Sequence, residues 1–264
     1  MTDATVGSPL AGPAIAQALE PRDAWRRPWQ RLEDLALALT LTAMVVIPIA
    51  EALLRGLLQT GITAAALIVQ HLALIAGMLG GAIAAREGRL LLLSTLGDSV
   101  LRGRLRAVAL AFTGVVGSVV AGLLAVASYQ FVLAEQRLGK VLVYGIPVWA
   151  VELALPAGFA IIAARLAYRA SGRWGARVAA TGSAVAIGVL VSTLPDASNR
   201  VVALLFCLLA LATILGTPAF VTLGGSAMIL FWWSADPIAA IPVSHYSLVT
   251  NPSIPALPLF TLAG

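Results

Sequence analysis

Charge is what this sequence has least of. Only 11% of its 264 residues are Asp, Glu, Lys or Arg, against about 25% in a soluble domain, so the chain could not cover its own surface in water. Cysteine is almost missing: Cys207 alone, inside an apolar run, excludes a disulfide framework and a thiolate metal site. Two histidines, His71 and His245, are too few and too far apart for a zinc site. There is no phosphate-cradling glycine loop, nucleophile elbow or paired-carboxylate pattern, which leaves no soluble catalytic domain and no cofactor site. The first 24 residues carry no cation before Arg22, where a cleaved secretory signal would place one. Residues 1–28 are therefore expected to be a disordered cytoplasmic tail.

What is present is apolar. Hydrophobic residues make up 60% of the chain and the mean hydropathy is +0.95, which places it in a membrane. Crossing about 30 Å of hydrocarbon takes roughly 20 apolar residues in a helix, and helix alone satisfies its own backbone there. Seven runs qualify: Leu35 to Leu54 (with Pro48 as a kink), Gly61 to Ala85, Leu105 to Leu133, Val148 to Tyr168 (containing Pro156), Val178 to Leu194, Val201 to Leu215 and Ala219 to Trp233. Between the second and third, the stretch Arg89 to Arg102 repeats Leu92, Leu93, Leu96 and Val100 at helical spacing. That pattern predicts an amphipathic helix on the cytoplasmic interface.

The net charge of +5 and pI of 10.1 come from short basic clusters between apolar runs, which read as topology signals and not as a nucleic-acid surface. With the N-terminus inside, the inner side holds Arg22, Arg26, Arg27, Arg31, Arg86, Arg89, Arg102, Arg104, Arg106, Arg165, Arg169, Arg173 and Arg177. The outer side holds Arg55, Arg137, Lys140 and Arg200. The positive-inside rule then predicts a cytoplasmic N-terminus in a multi-pass protein of a bacterial inner membrane. Trp25, Trp29, Trp232 and Trp233 fit the interfacial belts. The fold class expected is all-α integral membrane, seven transmembrane helices (4+1+2) plus one cytoplasmic interfacial amphipathic helix. The parts are a four-helix membrane domain over 29–172, a connecting helix over 173–198 and a second bundle over 199–264. The chain stops inside the apolar run 254–264, so truncation of a longer protein is expected.

Several motifs carry a resemblance. Trp29 to Asp34 leads into the first helix, Gly80-Gly-Ala-Ile-Ala-Ala-Arg-Glu-Gly88 ends the second, and Ile146-Pro-Val-Trp149 and Leu155-Pro-Ala-Gly-Phe159 open the fourth. Leu215-Gly-Thr-Pro218 and Ala256-Leu-Pro-Leu-Phe-Thr-Leu-Ala-Gly264 follow. The whole resembles a tripartite ATP-independent periplasmic (TRAP) transporter permease, with a DctQ-like small subunit fused to the N-terminal part of a DctM-like large subunit. Arg89 stands where family members often have His. Gly216, Pro218, Pro258, Phe260 and Gly264 are the residues matching the large-subunit motifs. The resemblance implies sodium-driven, binding-protein-dependent uptake of organic acids such as dicarboxylates, with sodium as coupling ion at a site beyond this chain. It implies as partners the large permease subunit or the rest of a fused chain, a periplasmic substrate-binding protein and the lipid bilayer, with no nucleic acid. The substrate site is expected beyond residue 264, and a structural subunit of another complex or a membrane-embedded transferase are the rival readings.

Ionisable groups within spans are functional candidates because burying charge in lipid is costly. Glu51 stands four residues before Arg55, the spacing of an i,i+4 pair at the outer boundary. Glu152, one turn into the fourth span beside Trp149, either bonds across to another helix or subunit or sits at the outer interface. His71, next to Gln70, is expected to hydrogen-bond a neighbouring helix. Gly77 and Gly81 form a Gly-x-x-x-Gly step for close helix packing. Asp236, His245 and Asn251 are expected to be solvated or docking residues in the outer segment, rich in Pro and polar residues, that follows the seventh span.

Overall fold

The computed structural model describes residues 28–92, 102–142, 144–170 and 199–251, without the side chains of 169 and 170. Among these the chain is all-α, with only two isolated β-bridges beside its helices. The helices are α1 (Pro28–Leu58), α2 (Ala65–Glu87), α3 (Gly103–Leu138), α4 (Val148–Glu152), α5 (Ala154–Ala170), α6 (Asn199–Ile214), α7 (Ala219–Trp233) and α8 (Ala240–Val249).

The first three helices outrun their apolar cores because polar flanks continue the same turns. α1 also continues through Pro48. The missing N–H leaves the Met44 carbonyl without its usual partner, a loss that spanning helices tolerate. α2 ends on Gly88, whose φ of 71° is left-handed and whose N–H bonds the Ala84 carbonyl, a common glycine stop. The fourth predicted helix is broken at Leu153. Pro156 explains the break: it offers no N–H to the Glu152 carbonyl and its ring crowds that oxygen.

Four segments are long and apolar enough to cross a membrane: α1, α2, α3 and 148–168. α6 and α7 have 16 and 15 residues. At 1.5 Å per residue they reach about 24 and 22 Å, short of the roughly 30 Å hydrocarbon core. Their lengths match the runs Val201 to Leu215 and Ala219 to Trp233 read from the sequence. Within the Pro-rich polar stretch after Trp233 the chain forms the ten-residue α8, with Pro242 buried in its first turn, where proline costs little. The tail before residue 28, most of the proposed interfacial helix, the connecting span over 178–194 and Pro258, Phe260 and Gly264 lie outside the described residues.

α3 is the axis of the packing. It buries twelve residues and touches α4, α5, α6, α7 and α8, while α2 lies between α1 and α5. One apolar cluster runs through Leu74, Met78, Val120, Leu124, Phe131, Phe159, Val221 and Met228, so α7 shares a core with the first four-helix bundle. Lipid removes the hydrophobic drive between helices, so close packing and interhelical hydrogen bonds carry association. A Cβ on Gly158 would lie 2.8 Å from Met78 Cβ and 2.4 Å from its Cε, which makes Gly158 the tightest α2–α5 approach. Ser118 Oγ donates to the Ala163 carbonyl at 3.1 Å between α3 and α5. The Gly-x-x-x-Gly expectation is corrected in part. A Cβ on Gly81 would be in ordinary contact with Ile162 at 3.4 Å, whereas one on Gly77 would meet nothing within 4 Å. Gly77 faces away from the α2–α5 seam.

α1 has no buried residue at all. It presents Leu39, Val45, Ile49 and Leu53 outward, a face suited to lipid.

Candidate functional site

Two polar clusters lie at opposite ends of the bundle. The first is at the end where α1 begins. Arg86 on α2 donates to Glu33 at 2.9 Å, to Asp34 at 2.6 Å and to the Gln30 carbonyl at 3.3 Å. Arg165 on α5 pairs with Glu33 as well and donates to the Ala82 carbonyl at 2.6 Å. Both guanidiniums are mostly covered. Each charge-assisted bond in such a setting contributes about 1.5–3 kcal/mol. Three helices are clamped here, and α1, with nothing buried, depends on that clamp. At the same end the Ala219 N–H donates to the Leu91 carbonyl at 2.8 Å, and Leu92 forms an antiparallel bridge with Pro218. Gly216, with φ 102°, makes the turn that delivers Pro218 there.

The second cluster lies at the opposite end, around a cavity of about 350 Å³. α2 supplies Leu67 and His71, α3 supplies Glu135, the turn after it supplies Lys140 to Leu142, α4 supplies Val148 and Glu152, and α8 supplies Tyr246. The turn is held by bonds from the Leu142 N–H to Ile146 O at 2.8 Å and from the Val148 N–H to Lys140 O at 3.0 Å.

Hydrogen-bond logic fixes the roles. His71 Nδ1 sits 2.8 Å from the Leu67 carbonyl, which can only accept, so Nδ1 carries the proton. Nε2 faces the Tyr246 hydroxyl at 2.7 Å and, where it carries no proton, accepts from it. α8 is too short to span, and burial, with Glu152 and Glu135 nearby, pushes the Tyr246 hydroxyl up to about 12. It remains a donor. The Tyr246 ring also packs on Phe131, with centroids 5.7 Å apart.

Glu152 is wholly buried, and neither carboxylate oxygen has a hydrogen-bond partner among the described residues. Its electrostatic neighbours are Glu135, Lys140 and the Tyr246 hydroxyl. Glu135 accepts from Lys140 Nζ at 3.1 Å through Oε1, while its buried Oε2 has no partner there. Two carboxyl groups and one lysine therefore meet at this cavity, with three buried carboxyl oxygens that have no hydrogen-bond partner among the described residues.

Of the residues singled out in the sequence, Glu51 pairs with Arg55 along α1 and does not line the cavity. Trp149 packs on the apolar cluster beside Glu152. His71 and Glu152 are brought together at one cavity, and Asp236 is exposed outside it. Exposed His245 stacks edge-on to Phe159, with ring centroids 6.2 Å apart. Sequence reasoning missed Glu135, Lys140 and Tyr246, and used Arg86 and Arg165 only for orientation. The adjacent acids Glu33 and Asp34 at the mouth of an apolar run were the available signal for the clamp.

No set of three His, Cys, Asp or Glu side chains among the described residues could hold a metal ion. Comparison with known proteins adds one decisive result. Residues 44–176, half of the chain, match the family of tripartite ATP-independent periplasmic transporters, DctQ component. No curated protein and no solved structure matches. The matched region takes in the second half of α1, all of α2 to α5 and therefore four of the five cavity-forming elements. The chain thus belongs to the DctQ-component family of the tripartite ATP-independent periplasmic transporters, as a multi-pass membrane component of a transporter and not an enzyme.

Proposed function

We propose that this chain is the scaffold part of a fused TRAP permease: a DctQ bundle, a connecting helix and the first helices of a DctM-like subunit. Its task is to hold the transport subunit rigidly while that subunit moves substrate. The observation that supports this most is the docking of α6 to α8 onto the DctQ bundle. α7 shares the α3 core through Val221 and Met228, Ala219 bonds Leu91, and Tyr246 bonds His71. Contacts at both ends and in the middle resist rocking, as a scaffold requires.

The remaining parts of the reading are transport driven by a sodium gradient, delivery by a periplasmic binding protein, carboxylate substrates, and an inner-membrane position with the N-terminus in the cytoplasm. The family and the distribution of arginines support them. The test is uptake of labelled organic acids into vesicles bearing the full permease, with and without its binding protein and a sodium gradient. Uptake is expected only with both. Uptake indifferent to either one would sink the proposal.

A further inference from the structure

The cavity at the far end carries an inference independent of the transport cycle. Glu152 is completely buried, lines the cavity and leaves both oxygens without a hydrogen-bond partner among the described residues. Glu135 adds a third buried, unpartnered oxygen on the same wall. An orphaned buried acceptor costs about 1–3 kcal/mol, more when charged, so three together call for a donor. The lining does not supply enough donors. The single Tyr246 proton is shared between His71 Nε2 and the neighbouring Glu152. The His71 Nδ1 proton goes to Leu67, and Lys140 reaches Glu135 Oε1, so at least one Glu152 oxygen and Glu135 Oε2 are left without a donor. Two carboxyl groups and one lysine line the cavity.

The group that fits is therefore a cation with several hydrogen-bond donors. A bare metal ion suits the site poorly, since the described residues offer no converging set of three ligands. The cavity, about 350 Å³, also far exceeds what one such ion fills. We propose that it binds an organic cation bearing N–H donors, an ammonium or guanidinium group, with Glu152 as the principal acceptor and Glu135 as the second. Entry is past Lys140, whose side chain is 59% exposed and whose turn borders the cavity. The group can arrive on a free small solute or on a basic side chain of a protein that docks on this face.

Thermal unfolding of the intact chain in detergent tests this. It is followed with methylguanidinium chloride well below denaturing concentrations, and with tetramethylammonium chloride and sodium chloride at matched ionic strength. The proposal expects a saturable rise in Tm with methylguanidinium and little with the other two, which lack N–H donors. Glu152→Gln should weaken the apparent affinity by about tenfold or more, as loss of a charge-assisted acceptor does. Lys140→Ala, at an exposed position that folding tolerates, should strengthen it several-fold by removing the competing cation. A parallel titration with N-acetyl-arginine amide separates the sources: binding of both ligands points to a partner's side chain, binding of methylguanidinium alone to a free solute. Equal shifts with all three salts, no shift at all, or an unchanged affinity in Glu152→Gln would overturn the proposal. If that variant does not fold, an unchanged affinity in Lys140→Ala overturns it instead.

Discussion

Gly158→Ala puts the packing argument at risk with a single methyl group. That methyl would lie 2.4 Å from Met78 Cε and 2.8 Å from Met78 Cβ. The first clash is cheap, because Cε ends a flexible chain and can swing away. The second is not, because Cβ is fixed to the α2 backbone, so α2 and α5 must separate by several tenths of an ångström. Over-packing of this kind costs about 1–3 kcal/mol. Against it stands the helix preference of alanine over glycine, worth up to about 1 kcal/mol in water and less in a membrane, where helices persist before they associate. The clash wins, and a net loss of about 1–2 kcal/mol is expected. Met78→Ala alone should cost about 2–5 kcal/mol by opening a cavity. In that background Gly158→Ala should become neutral or mildly stabilising, since its methyl enters the space Met78 left. The double-mutant coupling should therefore exceed about 1 kcal/mol. Thermal unfolding in detergent, read by near-ultraviolet circular dichroism, measures all four proteins. A Gly158→Ala protein as stable as its parent, or equally destabilised with and without Met78, would refute the close-approach reasoning.

Other consequences are as direct. Arg165→Gln should loosen α1 by removing one of the two arginines that share Glu33. A loss of about 2–4 kcal/mol is expected, seen as earlier protease cutting near residue 60, and cutting unchanged from the parent would contradict the clamp. Tyr246→Phe keeps the ring on Phe131 but leaves His71 Nε2 without its hydroxyl partner. A cost of about 1–2 kcal/mol is expected in thermal unfolding, and no cost would mean that the bond does not hold α8. For orientation, single cysteines at positions 98 and 199 in a Cys207→Ser background should react with an impermeant reagent from the cytoplasmic and periplasmic sides respectively. Labelling of both from one side would reject the assignment.

The helices were legible in the sequence because hydrocarbon imposes a length and a composition on whatever crosses it. The predicted seventh helix, Ala219 to Trp233, has the bounds of α7, since Pro218 and the tryptophans punctuate it. What composition could not show was partnership between elements distant in sequence. Tyr246 lies 175 residues from His71, and nothing local marks it as its donor. Arg86 and Arg165 were counted as charges that set orientation, which hid their second use as interhelical donors. Pro156 was visible, but its effect on the helix concerned the carbonyl four residues back, which belongs to Glu152. Gly158 was hidden for a different reason: closeness depends on which face of α5 meets α2, and spacing alone had favoured Gly77, which faces away.

The central claim is that residues 199–251 are docked on the DctQ bundle as part of one scaffold. Leu92 and Pro218 oppose each other in an antiparallel bridge, where Cα atoms stand about 4.5–5.5 Å apart, within reach of a disulfide. With Cys207 replaced by serine, Leu92→Cys and Pro218→Cys in native membranes should cross-link under mild oxidation, and a protease cut placed between positions 171 and 198 should then release no fragment until reductant is added. Free separation of the two halves under oxidising conditions, with both thiols still titratable, would contradict the account.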